Sequence, residues 1–413
     1  FDSQTLPKDP PMTPFRPLSL PILSLALGAA LCAPAQAQSL LELVESARTH
    51  DTAWQSARAQ LDAAARKADQ ARAGLLPSAA LTGGLTRSNV ELSKPKIENT
   101  GTAQTVGINA SQPLYRPANR ITLEQGQRGV EVAQAQLDAA TQDLLVRVSQ
   151  AYFDVLAAQD TLTFVQAQKA AVSEQLAAAK RNFEVGTTTV TDSREAQARY
   201  DLVIAQEIAA ENDLRVKSLA LDQLVGITGT KPLPLALPVQ LPSVVPDNLT
   251  TWVDTARDQQ PGVRQAAIAL DIARLETKKA ETGHLPTVDL QAGYNVTRNL
   301  HGTITSPGVT ARSNAASVGV ALNLPLFAGF AVQNRVKETL ALETKAEADL
   351  ETARRNVAQA TRAAFYGVQS GQGQVQALEA AEASSQSALD ANKLGYQVGV
   401  RINIDVLNAQ SQL

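Results

Sequence analysis

The sequence predicts an α+β fold in which one helix–strand–strand–long helix–helix unit occurs twice. The first observation is an internal repeat: Gln112–Tyr115 returns as Leu324–Phe327, and Phe183–Gly186 returns as Tyr396–Gly399. The shift between the copies stays near roughly 210 residues, which indicates duplication of a whole structural unit. The second observation is a set of segments that alternate apolar and polar residues, and the third is a long apolar seam with helical spacing.

The composition favours long helices over several compact cores. Aromatic residues make up only 4% of the 413 residues, while Ala, Gln and Leu are frequent, which is typical of long helices. The formal net charge of −3 gives no excess of basic residues. We therefore expect no nucleic-acid partner.

Residues 1–37 are predicted to form a secretory signal. Arg16 supplies the positive start, Leu18–Leu31 the apolar core and Ala35–Ala37 a cleavage site of small residues. The apolar core is too short for a full membrane span. The mature chain is therefore expected to begin near residue 38.

The single methionine and the single cysteine both lie in this leader. Because Met12 is the only methionine, residues 1–11 are interpreted as an artefact upstream of the start. Cys32 would leave with the signal, unless it is the acylated cysteine of a lipoprotein, which the bulky Leu31 before it disfavours. The mature chain is then expected to have no disulfide and no thiolate metal site.

The first unit is predicted to span residues 38–230. Leu40–Ala73 is Ala-rich and reads as a helix that ends at glycine and proline. Strands are predicted at about 78–88 and 102–112, where apolar and polar residues alternate. Between them, Val90–Gly101 reads as a polar loop longer than a minimal hairpin turn.

The second unit, 251–413, repeats this order. Thr251–Thr282 reads as the helix, and strands are predicted at about 287–298 and 315–324, joined by the polar loop Asn299–Asn314. One face of the first of these strands is apolar. Its residues are Val288, Leu290, Ala292, Tyr294 and Val296.

Strands of this kind have two interpretations. Segments of about ten residues with one apolar and one polar face suit a membrane barrel. A soluble two-layer sheet with one face on a core would show the same alternation, and the strands alone favour that reading. The polar loops fit the external loops of a barrel.

Two long helices are predicted at about 119–183 and 331–396. In the first, apolar residues recur at alternating steps of three and four, which is the period of packed, supercoiled helices. This seam runs through Leu137, Leu144, Val148, Ala151, Val155, Ala158, Leu162, Val165, Val172, Leu176, Ala179 and Phe183, with Thr141 and Lys169 as polar interruptions. A helix of about 65 residues is on the order of 100 Å long, so it must lie against other long helices.

The segment 231–250 is Pro-rich and reads as an extended linker between the units. After each long helix a second helix returns. The first returning helix is predicted to run from Thr191 to Leu224, whereas its counterpart begins near Ile402 and stops at Leu413. We therefore expect that the C-terminus is truncated.

Four strands per chain cannot close a membrane barrel, which needs at least about eight, and open edges in lipid would leave backbone groups unpaired. If the strands enter a membrane, several chains must build the barrel together.

Over the whole mature chain, the sequence resembles the TolC family of outer-membrane channels. The resemblance lies in the duplicated unit, in the QPLY and LPLF signatures and in the paired turns Phe183–Asp192 and Gly395–Leu407.

This resemblance implies an α+β membrane protein that assembles as a homotrimer. A shared 12-stranded β-barrel in outer-membrane lipid would continue as a coiled-coil α-helical barrel across the periplasm. Pro113 and Pro325 would mark the strand–helix junctions, and the linker would form an equatorial belt. The partners implied are a periplasmic adaptor and an inner-membrane transporter, either ABC-type or proton-driven.

The resemblance also places a gate at the turns between helices. Its residues are Asp192, Tyr396, Arg401 and Asp405. Arg401 would pair with Asp192 of a neighbouring coil and Tyr396 would donate to the same carboxylate, while three copies of Asp405 would make an acidic ring. The alternative is that the two aspartates only cap the returning helices. Asn408 stands where the family often has a second acid, which puts cation selectivity in doubt.

Adaptor docking is assigned by the same resemblance to the tips of the turns. The residues are Val185, Gly186, Val398, Gly399 and Leu407. For the glycines, the alternative is that they serve only as turn residues.

No catalytic constellation is visible. His50, His284 and His301 are far apart in sequence and show no metal-ligand spacing. We expect no cofactor, no metal and no enzyme activity.

The favoured function is an export duct of a tripartite pump for proteins (type I secretion) or small toxic compounds. The alternatives are a periplasmic coiled-coil adaptor or scaffold without a pore, and a secreted enzyme.

Overall fold

The computed structural model describes residues 38–94, 96–236, 239, 241–303 and 306–413. The predicted secretory signal, residues 1–37 with its artefact 1–11, lies outside these residues.

The first unit contains two short helices, a strand pair and a long helical hairpin. The elements are α1 Leu40–His50, α2 Thr52–Ala73, β1 Ser78–Ser93, β2 Lys96–Tyr115, α3 Pro117–Glu184 and α4 Val190–Val225. A capping box starts α1, because Ser39 N donates to the Glu42 carboxylate at 2.9 Å and Glu42 N donates to the Ser39 hydroxyl at 3.3 Å.

The second unit repeats the same order. Its elements are α5 Leu249–Gln259, α6 Pro261–Glu281, a 3₁₀ turn Thr282–His284, β3 Thr287–Leu300, β4 Gly302–Thr303, β5 Ser306–Pro307, β6 Ala311–Asn323, α7 Ala331–Gln397 and α8 Asn403–Gln412. The two long helices α3 and α7 have 68 and 67 residues.

Each unit's first helix is broken, where the sequence predicted one continuous helix. Leu40–Ala73 divides at Asp51, which is extended and accepts a hydrogen bond from Trp54 N at 2.7 Å as the cap of α2. Thr251–Thr282 divides at Gln260, which is also extended and precedes Pro261 at the start of α6. Proline at this position can begin a helix but disfavours a helical residue before it, so the break has a local cause.

The sheet joins the two units. Its antiparallel strands lie in the order β1-β2-β3-β6. β2 and β3 come from different units and pair from Thr102 opposite Leu300 to Tyr115 opposite Val288. This leaves β1 and β6 at the two edges. Along β6 every side chain is exposed, including the apolar Val318 at 79%.

The strands run beyond the predicted alternating segments. Val90–Gly101, predicted to be a polar loop, belongs mostly to the β1–β2 hairpin, whose pairing continues to Ser93 opposite Lys96. The Thr100 hydroxyl donates to the Asn89 side-chain oxygen at 3.0 Å. Cross-strand pairs of this kind let two polar strands pair without an apolar face. The second predicted loop, Asn299–Asn314, is shortened by β3 and β6 and contains the strand pair β4–β5.

The first helical hairpin, α3–α4, has a buried seam at most of the predicted positions, but Phe183, predicted as its last residue, is 45% exposed. One cluster of this seam packs α1 against α3 and α4, and Leu43, Leu144, Val148 and Leu221 are fully buried in it. Further along, the cluster of Val165, Val172, Val203, Ala210 and Leu407 is buried between the helices.

The second long helix is less covered in one chain. On α7, Leu350 and Leu389 are buried, whereas the apolar side chains of Val368 and Leu378 are exposed. Within the described residues, no helix is both long enough and apolar enough to cross a membrane.

The linker lies across both long helices. Tyr152 on α3 donates its hydroxyl hydrogen to the Leu233 carbonyl at 2.6 Å. Gln372 on α7 donates from Nε2 to the Pro242 carbonyl at 2.8 Å. Hydrogen bonds therefore tie the linker to the middle of each long helix.

Candidate functional site

The two turns between helices have the same backbone design. Gly186 and Gly399 both have φ of 78°. Thr187 N donates to the Asn182 carbonyl and Val400 N donates to the Gly395 carbonyl, each at 2.9 Å, which satisfies carbonyls at the helix ends. The positive φ strongly favours glycine. Turn geometry therefore accounts for both glycines independently of any docking role.

The turns also expose apolar side chains. Val185 is 71% exposed and Val398 is 66% exposed. Val400 in the second turn is exposed as well. Apolar groups at the end of a long hairpin are not covered by any part of the chain that the structure describes, so they are available to a partner.

Leu407 does not belong to this exposed set. It is only 3% exposed and packs in the cluster with Val165, Val172 and Val203. Within one chain Leu407 is therefore not an exposed docking side chain, and its assignment to the docking tips stays a prediction. Its position on α8 turns the side chain towards the first hairpin instead.

Asp192 caps α4 within one chain. The Thr189 N–H and hydroxyl donate to its Oδ2 at 3.1 and 3.0 Å, and Asp192 N donates back to the Thr189 hydroxyl at 3.3 Å. This is a capping box. Asp192 therefore caps the returning helix, as the alternative interpretation expected. An ionised carboxylate has further lone pairs, which can accept hydrogen bonds from another chain.

Arg401 and Asp405 lie next to each other on the second turn. Arg401 Nη1 is 3.7 Å from Asp405 Oδ2, and both side chains are partly exposed. Ile402 N also points to Asp405 Oδ2 at 3.5 Å. The predicted Arg401–Asp192 pair joins neighbouring coils, and within one chain Arg401 has Asp405 as its partner instead.

Tyr396 contacts the first hairpin through Asn182. The Asn182 side-chain Nδ2 donates to the Tyr396 hydroxyl oxygen at 3.4 Å. The expected partner was the Asp192 carboxylate, so within one chain the contact is different. Asn182 was missed by sequence reasoning. Its position immediately before Phe183, in the repeated turn segment, was the available signal.

The strand–helix junctions differ from the expectation at Pro113. Pro113 is paired in β2 opposite Asp289, and a register shift follows between Pro113 and Tyr115. The break falls later, at Arg116, before α3 begins at Pro117. Arg116 donates to both Asp289 oxygens at 2.8 and 2.6 Å, which anchors the start of α3 to β3. Proline tolerated at a bulge explains why the strand continues.

At the second junction, β6 ends at Asn323 and Pro325 lies in the irregular segment before α7. This segment closes with Gly329 and Phe330, which have positive φ of 60° and 63°.

The turns therefore hold two carboxylates and a phenol on partly exposed positions and a guanidinium on an exposed one. Such groups exchange hydrogen-bond and ion-pair partners at low cost, because each pair is worth about 0–1 kcal/mol in water. In the described part of the chain, no group of three or more His, Cys, Asp or Glu side chains could hold a metal ion.

A duplicated unit that shares one sheet and extends two long helical hairpins defines the class of outer-membrane channel subunits. The family model described as "Outer membrane efflux protein" matches residues 43–227 and 252–413, and the chain belongs to this family. Family membership confirms the resemblance drawn from the sequence. It also makes the chain an outer-membrane protein of a family of channels rather than enzymes.

Individual relatives agree. Outer membrane protein TolC of Vibrio cholerae serotype O1 is 34% identical over 391 residues, covering 95% of this chain and 88% of the relative. Proteases secretion protein PrtF of Dickeya chrysanthemi is 30% identical over 409 residues, and the match covers 95% of this chain and 85% of the relative. The crystal structure of the outer membrane protein VceC from Vibrio cholerae has a TM-score of 0.77 at 20% identity, covering 91% of this chain and 89% of that chain.

Proposed function

We propose that this chain is the outer-membrane export duct of a tripartite pump, which receives cargo from an inner-membrane transporter and a periplasmic adaptor. The family membership carries this proposal, together with relatives named for secretion and efflux. The cargo is protein, as in type I secretion, or small toxic compounds. The duct itself is passive, and selection of cargo belongs mainly to the transporter.

The open sheet supports assembly as a homotrimer. β1 and β6 are edge strands, and unpaired backbone groups in lipid cost several kcal/mol each. Pairing β1 of one protomer with β6 of the next removes both edges. Three copies then give a closed barrel of twelve strands, with the exposed apolar face of β6 towards outer-membrane lipid.

The exposed face of α7 supports the same assembly. Apolar side chains such as Val368 and Leu378 remain uncovered in one chain. A helix of this length with uncovered apolar side chains buries them against other long helices. Neighbouring protomers would cover it and form the helical barrel across the periplasm, with the 231–250 linker as its belt.

The gate is proposed at the periplasmic mouth, with Asp192, Tyr396, Arg401 and Asp405. In the closed trimer, Arg401 exchanges Asp405 of its own chain for Asp192 of a neighbouring coil. Both pairs join partly exposed side chains and contribute only about 0–1 kcal/mol each, so adaptor docking can undo them. Val185, Gly186, Val398 and Gly399 form the docking tips in this proposal.

The test is the conductance of the purified mature protein in a planar lipid bilayer. We expect small, stable channels from the wild type and wider channels from Asp192→Ala/Arg401→Ala. The matched control is Lys345→Ala/Asp349→Ala, which removes an exposed ion pair of 2.6 Å on α7, away from the turns. This control should conduct like the wild type.

If the gate variant has the same conductance as the wild type, the duct function stands but the assignment of these gate residues is wrong. Absence of channels from well-folded, detergent-extracted wild type would contradict the duct itself.

A further inference from the structure

Among the residues that the structure describes, two side-chain hydrogen bonds join the α3–α4 hairpin to the α7–α8 hairpin near their turns. One links Asn182 to Tyr396 and belongs to the gate region. In the other, Arg199 Nη2 on α4 donates to Asn408 Oδ1 on α8 at 2.6 Å. These two residues are 209 positions apart and belong to different units of the duplication.

Packing fixes both ends of the Arg199–Asn408 contact. Arg199 lies three residues after Ala196 and four before Val203, which are both buried, so it borders the buried seam of its hairpin. Asn408 directly follows Leu407, which is buried against the same seam. The two polar groups therefore meet at the rim of a packed apolar contact between the hairpins.

Three carboxylates of the two hairpins have partners within their own hairpins. Asp192 accepts from Thr189, Asp201 accepts from Gln197 at 2.9 Å, and Asp405 lies beside Arg401. Arg199 reaches across to a neutral amide instead. A guanidinium bound to an amide makes a weaker hydrogen bond than one bound to a carboxylate, which suits a contact that must be made and released.

We propose that Arg199 is a positioning residue that clamps the two hairpins of one protomer together through Asn408 and thereby stabilises the closed mouth. This inference rests on the proposed channel function. The clamp differs from the gate, because it lies within one protomer and the gate pair joins neighbouring coils. Widening the mouth moves the hairpins apart, so the clamp must break when the duct opens.

The first experiment measures the open-to-closed ratio of single channels for Arg199→Ala, Asn408→Ala and the double variant. Each single change should raise the ratio about two- to fivefold per protomer, the effect expected for one exposed hydrogen bond. The double variant should match the single variants, because both remove the same contact. Arg194→Ala, which removes an exposed arginine from the same helix, is the matched control and should leave the ratio unchanged.

Asn408→Asp separates a clamp from a merely structural contact. The new carboxylate turns the hydrogen bond into a charge-assisted one, so this variant should lower the open-to-closed ratio. The effect should shrink as salt rises, because the contact is exposed. Additive effects of the two alanine changes, or opening by Asn408→Asp, would overturn the clamp.

The second experiment tests whether the contact lies within one chain. Residues 38–413 contain no cysteine, so Arg199→Cys/Asn408→Cys introduces the only thiols in this part of the chain. A short bifunctional methanethiosulfonate should join them within one protomer, which leaves a single-chain band on a denaturing gel. Conductance should fall on crosslinking and recover on reduction.

Bands of two or three joined chains would overturn the clamp within one protomer. If the wild type forms channels and the gate variant widens them, but every clamp variant keeps the wild-type open-to-closed ratio, the clamp alone would be overturned. Absence of wild-type channels would overturn the proposed function and this inference with it.

Discussion

At the scale of single residues, the polar interruptions of the first seam have partners that the spacing does not reveal. The Thr141 hydroxyl accepts a hydrogen bond from Trp54 Nε1 at 3.0 Å. Lys169 pairs with Glu207 of α4. A local pattern identifies such residues as exceptions, but their partners lie 87 and 38 positions away. Their role therefore becomes visible only in the folded chain.

Asp51 combines two of these roles. It caps α2 and accepts from Arg147 of α3 at 2.9 Å, and its side chain is only 7% exposed. The hydrogen bond from Arg147 is the main reason that the pKa of Asp51 lies below its ordinary value, although burial acts in the opposite direction. Because the folded pKa is lowered, the carboxylate stabilises the fold at neutral pH. This contribution is lost as the pH falls through the folded-state pKa.

Asp51→Asn tests this contribution. Asparagine is also a good helix cap, so the variant removes the charge and keeps the cap. We expect a loss of about 1–3 kcal/mol in the free energy of unfolding at pH 7, and a much smaller loss near pH 3, measured by denaturant unfolding of the detergent-solubilised protein. Asp69→Asn, in an exposed pair with Arg66, is the control and should change little. An equal loss at both pH values would refute the ionic role.

At the scale of elements, helix ends follow local rules that the sequence displays. Gly226 ends α4 in the left-handed conformation, with φ of 74°. Gly229, three residues later, has φ of 75°. A side chain at Gly226 would lie 2.4 Å from the His50 ring, whereas one at Gly229 would meet nothing within 4 Å. The conformation could be inferred from a glycine after a helix, but the contact with α1 could not.

Alanine at these two glycines separates backbone strain from steric conflict. Gly229→Ala should cost about 1 kcal/mol in the free energy of unfolding, the penalty of left-handed backbone alone. Gly226→Ala should cost at least about 1 kcal/mol more, because the His50 ring must also move. Denaturant midpoints of the two variants measured side by side give this difference. Equal midpoints would show that α1 yields freely.

At the scale of the whole molecule, the two units are joined by contacts that no local sequence pattern predicts. β2 pairs with β3 across the duplication, and Arg116 binds Asp289 over a separation of 173 residues. The pairing fixes one four-stranded sheet rather than two separate hairpins. It also places β1 and β6 at the edges, which is the feature that supports assembly with other copies.

Arginine at neighbouring positions of β6 tests the membrane face. Val318 and Gly319 point to opposite faces of the strand, and a side chain at Gly319 would meet nothing within 4 Å. Val318→Arg should lower the yield of heat-sensitive trimers in outer-membrane fractions, because arginine on a lipid face costs about 2–4 kcal/mol at the bilayer midplane. Gly319→Arg is the control and should assemble. Equal yields from the two variants would contradict the assignment of the apolar face to lipid.

The duplication, the alternating strands, most of the first helical seam and the glycine turns can be predicted from the sequence. Each of these depends on residues a few positions apart or on a repeated pattern, so local spacing predicts it. The burial of Leu407 and the contacts of Tyr396 with Asn182 and of Arg199 with Asn408 are visible only in the folded chain. These contacts join residues more than two hundred positions apart. Their geometry follows from how two hairpins pack together, which no local period specifies.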